Sequence, residues 1–247
     1  MILELDAGNT FIKWRLLDAT SRVIERGRFL TAERSVNHWP AGLAERVAFI
    51  RASSVAGEQV DTTLAQQLLS LTGLEIGFAR TQTVQGEVRN SYTDPSRMGV
   101  DRWMVMLAAW RDCQQACCIV DCGSAITVDY LSAQGQHLGG YIMPGLRLLK
   151  ASLLHNTAQV LVDQSSAPCF SSAPGTHTSA AVEQGVNLMF QALQEKIVSK
   201  LGADVRLYIT GGDGELFHRL SGCGCYRAEL VMDGLASAVP AKRDITD

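Results

Sequence analysis

Ile2-Leu3-Glu4-Leu5-Asp6-Ala7-Gly8-Asn9-Thr10 opens the chain, and Cys117-Cys118-Ile119-Val120-Asp121-Cys122-Gly123-Ser124-Ala125 echoes it near the middle. Each is an apolar run that ends in an acid and passes through Asp-x-Gly into polar and hydroxyl residues. Short apolar runs bounded by turn formers read as buried strands. A glycine between two strands lets the backbone come close to a ligand. The N–H groups of such a turn, with an Asn amide and a Thr hydroxyl, suit phosphate oxygens. Lys13 returns on the next strand, where it can neutralise phosphate charge. Asp6 can hold magnesium, because hard cations prefer carboxylate oxygen. A single such turn could equally be a plain β-hairpin, with Asp and Asn as ordinary turn formers. Two of them, at equivalent places in two halves, point to one polyphosphate gripped from both sides.

Working outward, Phe11 to Leu17 and Arg22 to Leu30 alternate apolar and polar residues, which with Ile2 to Asp6 predicts an antiparallel meander. Further strands are expected at Arg46 to Ile50 and Leu74 to Ala79, and helices at Glu58 to Leu71 and Arg97 to Cys113. The order then begins again. Strands are expected at Cys117 to Asp121, Ile126 to Leu131 and His137 to Ile142, and helices at Leu146 to His155 and Ser179 to Leu201. Val205 to Thr210 reads as a strand, and a last strand and helix fall within Tyr226 to Val239. Asn156 to Gly175 is rich in Ser, Ala and Pro and reads as a long loop, a feature that is often functional. The expected class is α/β, with lobes at 1–114 and 115–247. The apolar residues of the Arg97 to Cys113 helix, including Trp103, Met104, Met106, Leu107 and Trp110, spread around too many faces for a helix exposed on one side. That predicts cover from a second copy of the chain.

A length of 247 residues suffices for a large core without disulfide or metal staples. The formal net charge of −3 and the absence of a Lys/Arg-rich run exclude an electrostatic footprint for nucleic acid or a polybasic membrane anchor. The first residues lack the basic start and long apolar core of a signal peptide, so the expected location is cytosolic. Seven cysteines, an odd number, include three in the apolar run at Cys117, Cys118 and Cys122, which read as buried free thiols. No paired C-x-x-C unit suggests zinc.

Thr210-Gly211-Gly212-Asp213 ends another strand in two glycines before a helix. Arg97-Met98-Gly99-Val100-Asp101-Arg102-Trp103 stands at the start of an apolar helix, where free N–H groups and the helix dipole favour an anion. An Asp-Arg pair there could also be a cap and a surface ion pair. Neither a Walker-type phosphate loop, nor a Rossmann fingerprint, nor a Gly-x-Ser-x-Gly elbow is present.

Taken in order, these motifs resemble type III pantothenate kinases over essentially the whole chain. The matching runs are Asp6-Ala7-Gly8-Asn9-Thr10-Phe11-Ile12-Lys13, Gly99-Val100-Asp101-Arg102-Trp103, Asp121 to Thr127, Gly139-Gly140-Tyr141-Ile142-Met143-Pro144-Gly145 and Thr210 to Asp213. Ser124 stands where the family usually has Thr, and keeps the hydroxyl. The resemblance implies the actin-like ATPase (ribonuclease H-like) fold: two similar lobes, each a mixed five-stranded sheet with helices, and a nucleotide cleft between them. It implies phosphorylation of pantothenate by ATP with Mg2+ and a monovalent cation, K+ or NH4+, in a homodimer. By the same resemblance Asp6 to Lys13, Gly123 and Ser124 bind ATP, and Asp101 is the general base. Tyr92, Gly99, Val100, Asp101, Arg102 and Thr178 bind pantothenate, Thr178 near the partner's site, and Asp121 holds the monovalent cation. The other readings are a different small-molecule kinase of the superfamily, and a non-catalytic regulator of the Bvg accessory factor type. The Gly-x-Asp-Arg-Trp run separates the first of these, and intact Asp6, Lys13 and Asp101 weigh against the second.

Overall fold

Strand β1 (Ile2–Ala7) is buried on both faces, with Leu3, Leu5, Ala7 and even Glu4 removed from solvent, so it takes a central place in its sheet. The structure, a computed structural model, describes residues 1–33, 38–156 and 170–241. β1 pairs antiparallel with β2 (Phe11–Leu17), which pairs antiparallel with β3 (Val23–Leu30), the expected meander. On its other side β1 runs parallel to β4 (Phe49–Ser54), which runs parallel to β5 (Ile76–Phe78). The sheet order is β3-β2-β1-β4-β5.

The expected strand at Arg46 to Ile50 is displaced. Leu43–Arg46 form a short helix, α1, and the strand runs from Phe49 to Ser54. Arg51 stays inside the sheet because a buried partner meets it. Glu4 Oε1 accepts a hydrogen bond from Arg51 Nε at 2.8 Å and pairs with its Nη2 at 2.6 Å. Helix α2 (Glu58–Thr72) lays Val60, Leu64 and Leu68 on this sheet's core at spacings of four. A two-residue hairpin, β6 (Val84–Gln85) and β7 (Val88–Arg89), precedes a 3-10 turn at Pro95–Arg97 that Asp94 caps. The turn makes helix α3 begin at Val100 and not at Arg97; it ends at Cys113.

In the second half β8 (Cys117–Cys122) pairs antiparallel with β9 (Ala125–Leu131), and β10 (His137–Pro144) flanks β9. Helices α4 (Leu146–Asn156) and α5 (Thr178–Lys200) follow. Then come β11 (Arg206–Thr210), α6 (Gly214–Ser221), β12 (Cys225–Tyr226) and α7 (Leu230–Ala238). β11 runs parallel to both β8 and β12, giving the order β10-β9-β8-β11-β12. Third, second, first, fourth, fifth is the order in both sheets, so the repeated motif reflects a repeated topology.

The chain divides into two compact units. One contains Met1–Gln114, Ala133–His137 and the chain from Glu229 on; the other contains Gln115–Ser132 and Leu138–Ala228. Within the first unit, α7 covers α3. The two helices approach so closely that a Cβ on Gly234 would lie 2.7 Å from the Met104 carbonyl carbon and 2.9 Å from its Cα. Arg102 to Trp110 are consequently all buried, with β4 and β7 covering further faces of α3. The all-round apolar helix is thus explained inside its own chain, and gives no reason for a second copy. A buried ion network fastens α7 to the sheet. Arg15 bridges Glu4 and Asp233, the latter at 2.8 Å, and Arg51 Nη1 donates to the Val239 carbonyl at 3.1 Å. Removing one partner of such a network typically costs about 3–5 kcal/mol.

The second unit's core gathers Val120, Val128, Phe190, Ile197, Ile209 and Phe217. Cys117, Cys118 and Cys122 are buried there as free thiols, and burial pushes the Cys118 thiol up to about 12, so they are inert packing groups. Cys169 and the loop from 157 to 169 lie outside the described residues. Among the described residues no helix is long and apolar enough to cross a membrane.

Candidate active site

In the first unit the turn after β1 is built by the pairing of β1 with β2. The register sets Asp6 opposite Lys13, and Lys13 Nζ lies 3.5 Å from Asp6 Oδ2. Gly8 N–H closes the turn on the Phe11 carbonyl at 3.0 Å. Thr31 braces it from behind: its Oγ1 donates to the Gly8 carbonyl at 2.7 Å and its N–H to the Thr10 carbonyl at 3.0 Å. Ala7 and Ile12 are buried, Thr10, Phe11 and Lys13 half-buried, and Asn9 exposed, so the turn presents its tip outward from a fixed base.

Burial raises the Asp6 carboxyl above the ordinary carboxylate range; Lys13 opposes the rise and the negative charge of Asp101 adds to it. Asp6 and Asp101 are therefore electrostatic neighbours, an arrangement that a divalent cation would relieve. Ser53, paired in register with Asp6, keeps a buried Oγ with no hydrogen-bond partner, which fits a site meant to hold ordered water or a hydrated ion. Among the described residues no cluster of three or more Asp, Glu, His or Cys side chains comes together. Magnesium would then rest on Asp6 together with water and phosphate oxygens, its usual mode.

Asp101 stands in the first turn of α3, and its Oδ1 accepts the Arg102 N–H at 2.8 Å. The carboxylate folds back over Gly99, where a Cβ would sit 2.5 Å from Oδ1. Val100 is buried beside it. Arg102 is only 4% exposed; its Nη1 donates to the Tyr92 hydroxyl at 2.9 Å, and its guanidinium lies 5.7 Å from the Tyr92 ring centre. Asp6, Lys13, Tyr92, Gly99, Val100, Asp101 and Arg102 thus all belong to the first unit. The charges of Asp6 and Asp101 are coupled, and Tyr92 is bonded to Arg102.

In the second unit three motifs converge on the turn after β8. Gly123 N–H donates to the Ala125 carbonyl at 3.1 Å, and the Ser124 carbonyl accepts the Gly145 N–H at 2.9 Å. Asp213 N–H donates to the Cys122 carbonyl at 2.9 Å, bringing the Thr210 to Asp213 turn alongside. Gly211 has φ +90°, and a Cβ there would fall 2.6 Å from Cys122 N and against the Asp121 carboxylate, so only glycine fits. Asp121 is half-buried at this junction and Ser124 is exposed. Desolvation also raises the Asp213 carboxyl. Thr178 is the exposed first residue of α5, beside a pocket of about 620 Å³ lined by Leu153, His177, Thr178, Val182 and Met189. Sequence reading missed Thr31 and His137. The first braces a turn from a distant strand end, and the second bonds Ser91 from a separate part of the chain.

The family model for type III pantothenate kinase matches residues 2–200. A type III pantothenate kinase of Azotobacter vinelandii is 37% identical over 97% of this chain and 99% of its own length. One of Pseudomonas putida is 35% identical over the same shares. Among solved structures, a Sinorhizobium meliloti protein described as a 2-dehydro-3-deoxygalactonokinase superposes with TM-score 0.61 at 14% identity, covering 100% of this chain and 98% of its own. A Campylobacter jejuni protein described as a Baf family transcriptional activator gives 0.58 at 23% identity and 96% cover of both. At those identities the structures speak for the fold alone, and they agree with the repeated sheet order of the actin-like ATPase fold. The family model and the near-full-length relatives decide the rest: the chain belongs to the type III pantothenate kinase family.

Proposed function

We propose that this protein transfers the γ-phosphoryl group of ATP to the terminal hydroxyl of pantothenate, giving 4'-phosphopantothenate, the first step of coenzyme A synthesis. The observation that carries the reading is Asp101, a carboxylate fixed at the start of α3 and electrostatically coupled to the Asp6–Lys13 turn. Phosphoryl transfer asks a protein for positioning and charge neutralisation more than for covalent chemistry. In this reading Asp6 to Lys13 bind ATP phosphates, and Gly123 and Ser124 are assigned to ATP as well. Magnesium bound at Asp6 would neutralise charge on the phosphate oxygens. Asp101 accepts the proton of the attacking hydroxyl, while Tyr92, Gly99, Val100 and Arg102 orient pantothenate, with Arg102 suited to its carboxylate. The reaction runs in the cytosol, where ATP is supplied.

Asp121 is assigned to a monovalent cation. Its half-buried carboxylate, pressed against Gly211, would gain from a positive charge shared with backbone carbonyls. ADP release is expected to require pantothenate and to rise with potassium or ammonium over sodium, and Asp121→Ala should abolish the difference. Pantothenate-independent release would refute the kinase reading, and equal rates in potassium and sodium the cation assignment.

The homodimer finds support in the second unit. Leu138, Tyr141 and Ile142 of β10, Leu148, Leu153 and Leu154 of α4, and Leu188 and Met189 of α5 are all exposed. So much exposed apolar surface on neighbouring elements marks an association face, and a partner seated there would come close to Thr178. Light scattering should return twice the 26.8 kDa of one chain, and the single-chain mass would sink the dimer.

A further inference from the structure

The segment Asn90–Tyr92 follows the β6–β7 hairpin and is held from several sides. Asn90, itself buried, accepts the Tyr92 N–H on Oδ1 at 2.9 Å, and its Nδ2 reaches the Gln82 carbonyl at 3.4 Å. Ser91 is exposed, yet its Oγ lies 2.8 Å from Nδ1 of His137, a residue only 1% exposed. The His137 ring also sits 6.2 Å from the Tyr92 ring, tilted by 33°. The chain leading to His137 is tied to the same hairpin: Arg89 N–H donates to the Gly135 carbonyl at 3.0 Å, and Gln136 Nε2 to the Arg89 carbonyl at 3.4 Å.

An imidazole this buried is tolerated only with its polar atoms bonded, so the Ser91 bond is retained and stiff. It fixes the backbone just before Tyr92, where Asn90 also holds the Tyr92 N–H. Tyr92 in turn accepts the hydrogen bond from Arg102. We propose that His137 is a positioning residue: it holds Ser91 and the Tyr92 ring, and through Tyr92 the Arg102 guanidinium, in the geometry that binds pantothenate. The inference rests on the kinase reading above. Because Asp101 is carried by α3 and not by this segment, loosening the segment weakens substrate binding and spares the chemical step.

The test is steady-state kinetics on wild type, Ser91→Ala, His137→Leu, His137→Asn and the Ser91→Ala/His137→Leu pair. The Asn carboxamide places a polar atom at the same distance from Cα as Nδ1, so it can restore the bond to Ser91. Ser91→Ala and His137→Leu should each raise KM for pantothenate roughly five- to tenfold, the scale of one hydrogen bond. Turnover and KM for ATP should stay within about twofold, and the double variant should be no worse than His137→Leu. His137→Asn should recover most of the loss. Ser91→Ala carries the test if His137→Leu does not fold. An unchanged KM for pantothenate in Ser91→Ala, or equal impairment of His137→Asn and His137→Leu, overturns the role of His137 while wild-type turnover leaves the kinase intact. Wild type without pantothenate-dependent turnover overturns both.

Discussion

Asp101→Asn is expected to lower turnover by about two or more orders of magnitude while leaving the fold and ATP binding intact. The asparagine oxygen can still accept the Arg102 N–H, so the start of α3 keeps its shape. What is lost is the negative charge and the capacity to take a proton from the attacking hydroxyl. Pantothenate KM should move little, because the contacts of Tyr92 and Arg102 are untouched. Turnover within threefold of wild type, measured at saturating substrates, would remove Asp101 from the chemistry.

The second large effect concerns stability. Alanine is a better helix former than glycine by about 1 kcal/mol, so Gly234→Ala in an exposed helix would stabilise. Here the added methyl meets the backbone of Met104, which cannot swing aside as a side chain can. Overpacking of this kind costs about 1–3 kcal/mol and sometimes more. The steric term wins, and the thermal midpoint should fall by about 2–12 °C for a chain of this size. The variant should also show earlier exposure of Trp103 and Trp110, read by fluorescence, because both lie on the helix that α7 covers. A midpoint at or above that of wild type would mean that the two helices are not so closely apposed.

Both turns that define the fold could be read from the chain because their signals are local: an apolar run, an acid, a glycine and a hydroxyl within a few residues. The meander that follows was legible for the same reason. Features that depend on distant partners were not. The strand expected at Arg46 to Ile50 runs on to Ser54 because Glu4, on a neighbouring strand and distant in sequence, pairs Arg51 inside the sheet. The apolar girth of α3 points in the sequence to a second chain because its true cover, α7, is encoded more than a hundred residues later. Gly99 was legible as part of a motif, but its need to make room for the Asp101 carboxylate appears only in the folded chain. His137 reads as one more strand residue until Ser91 and Tyr92 are seen beside it. Thr178 had no local signal of its own, and its assignment came from the family resemblance alone.

The return of α7 to the first sheet bears on synthesis at the ribosome. The first 114 residues emerge early, yet Arg15, Arg51 and the Met104 face of α3 wait for Asp233, Val239 and Gly234, which are made more than a hundred residues later. Until then Arg15 and Arg51 share the one carboxylate of Glu4 and the apolar helix is bare, the kind of surface that invites chaperones. A transcript that stops short of Glu229 therefore does not yield one finished lobe and one missing piece; it leaves the earliest-made part of the enzyme without its closing helix.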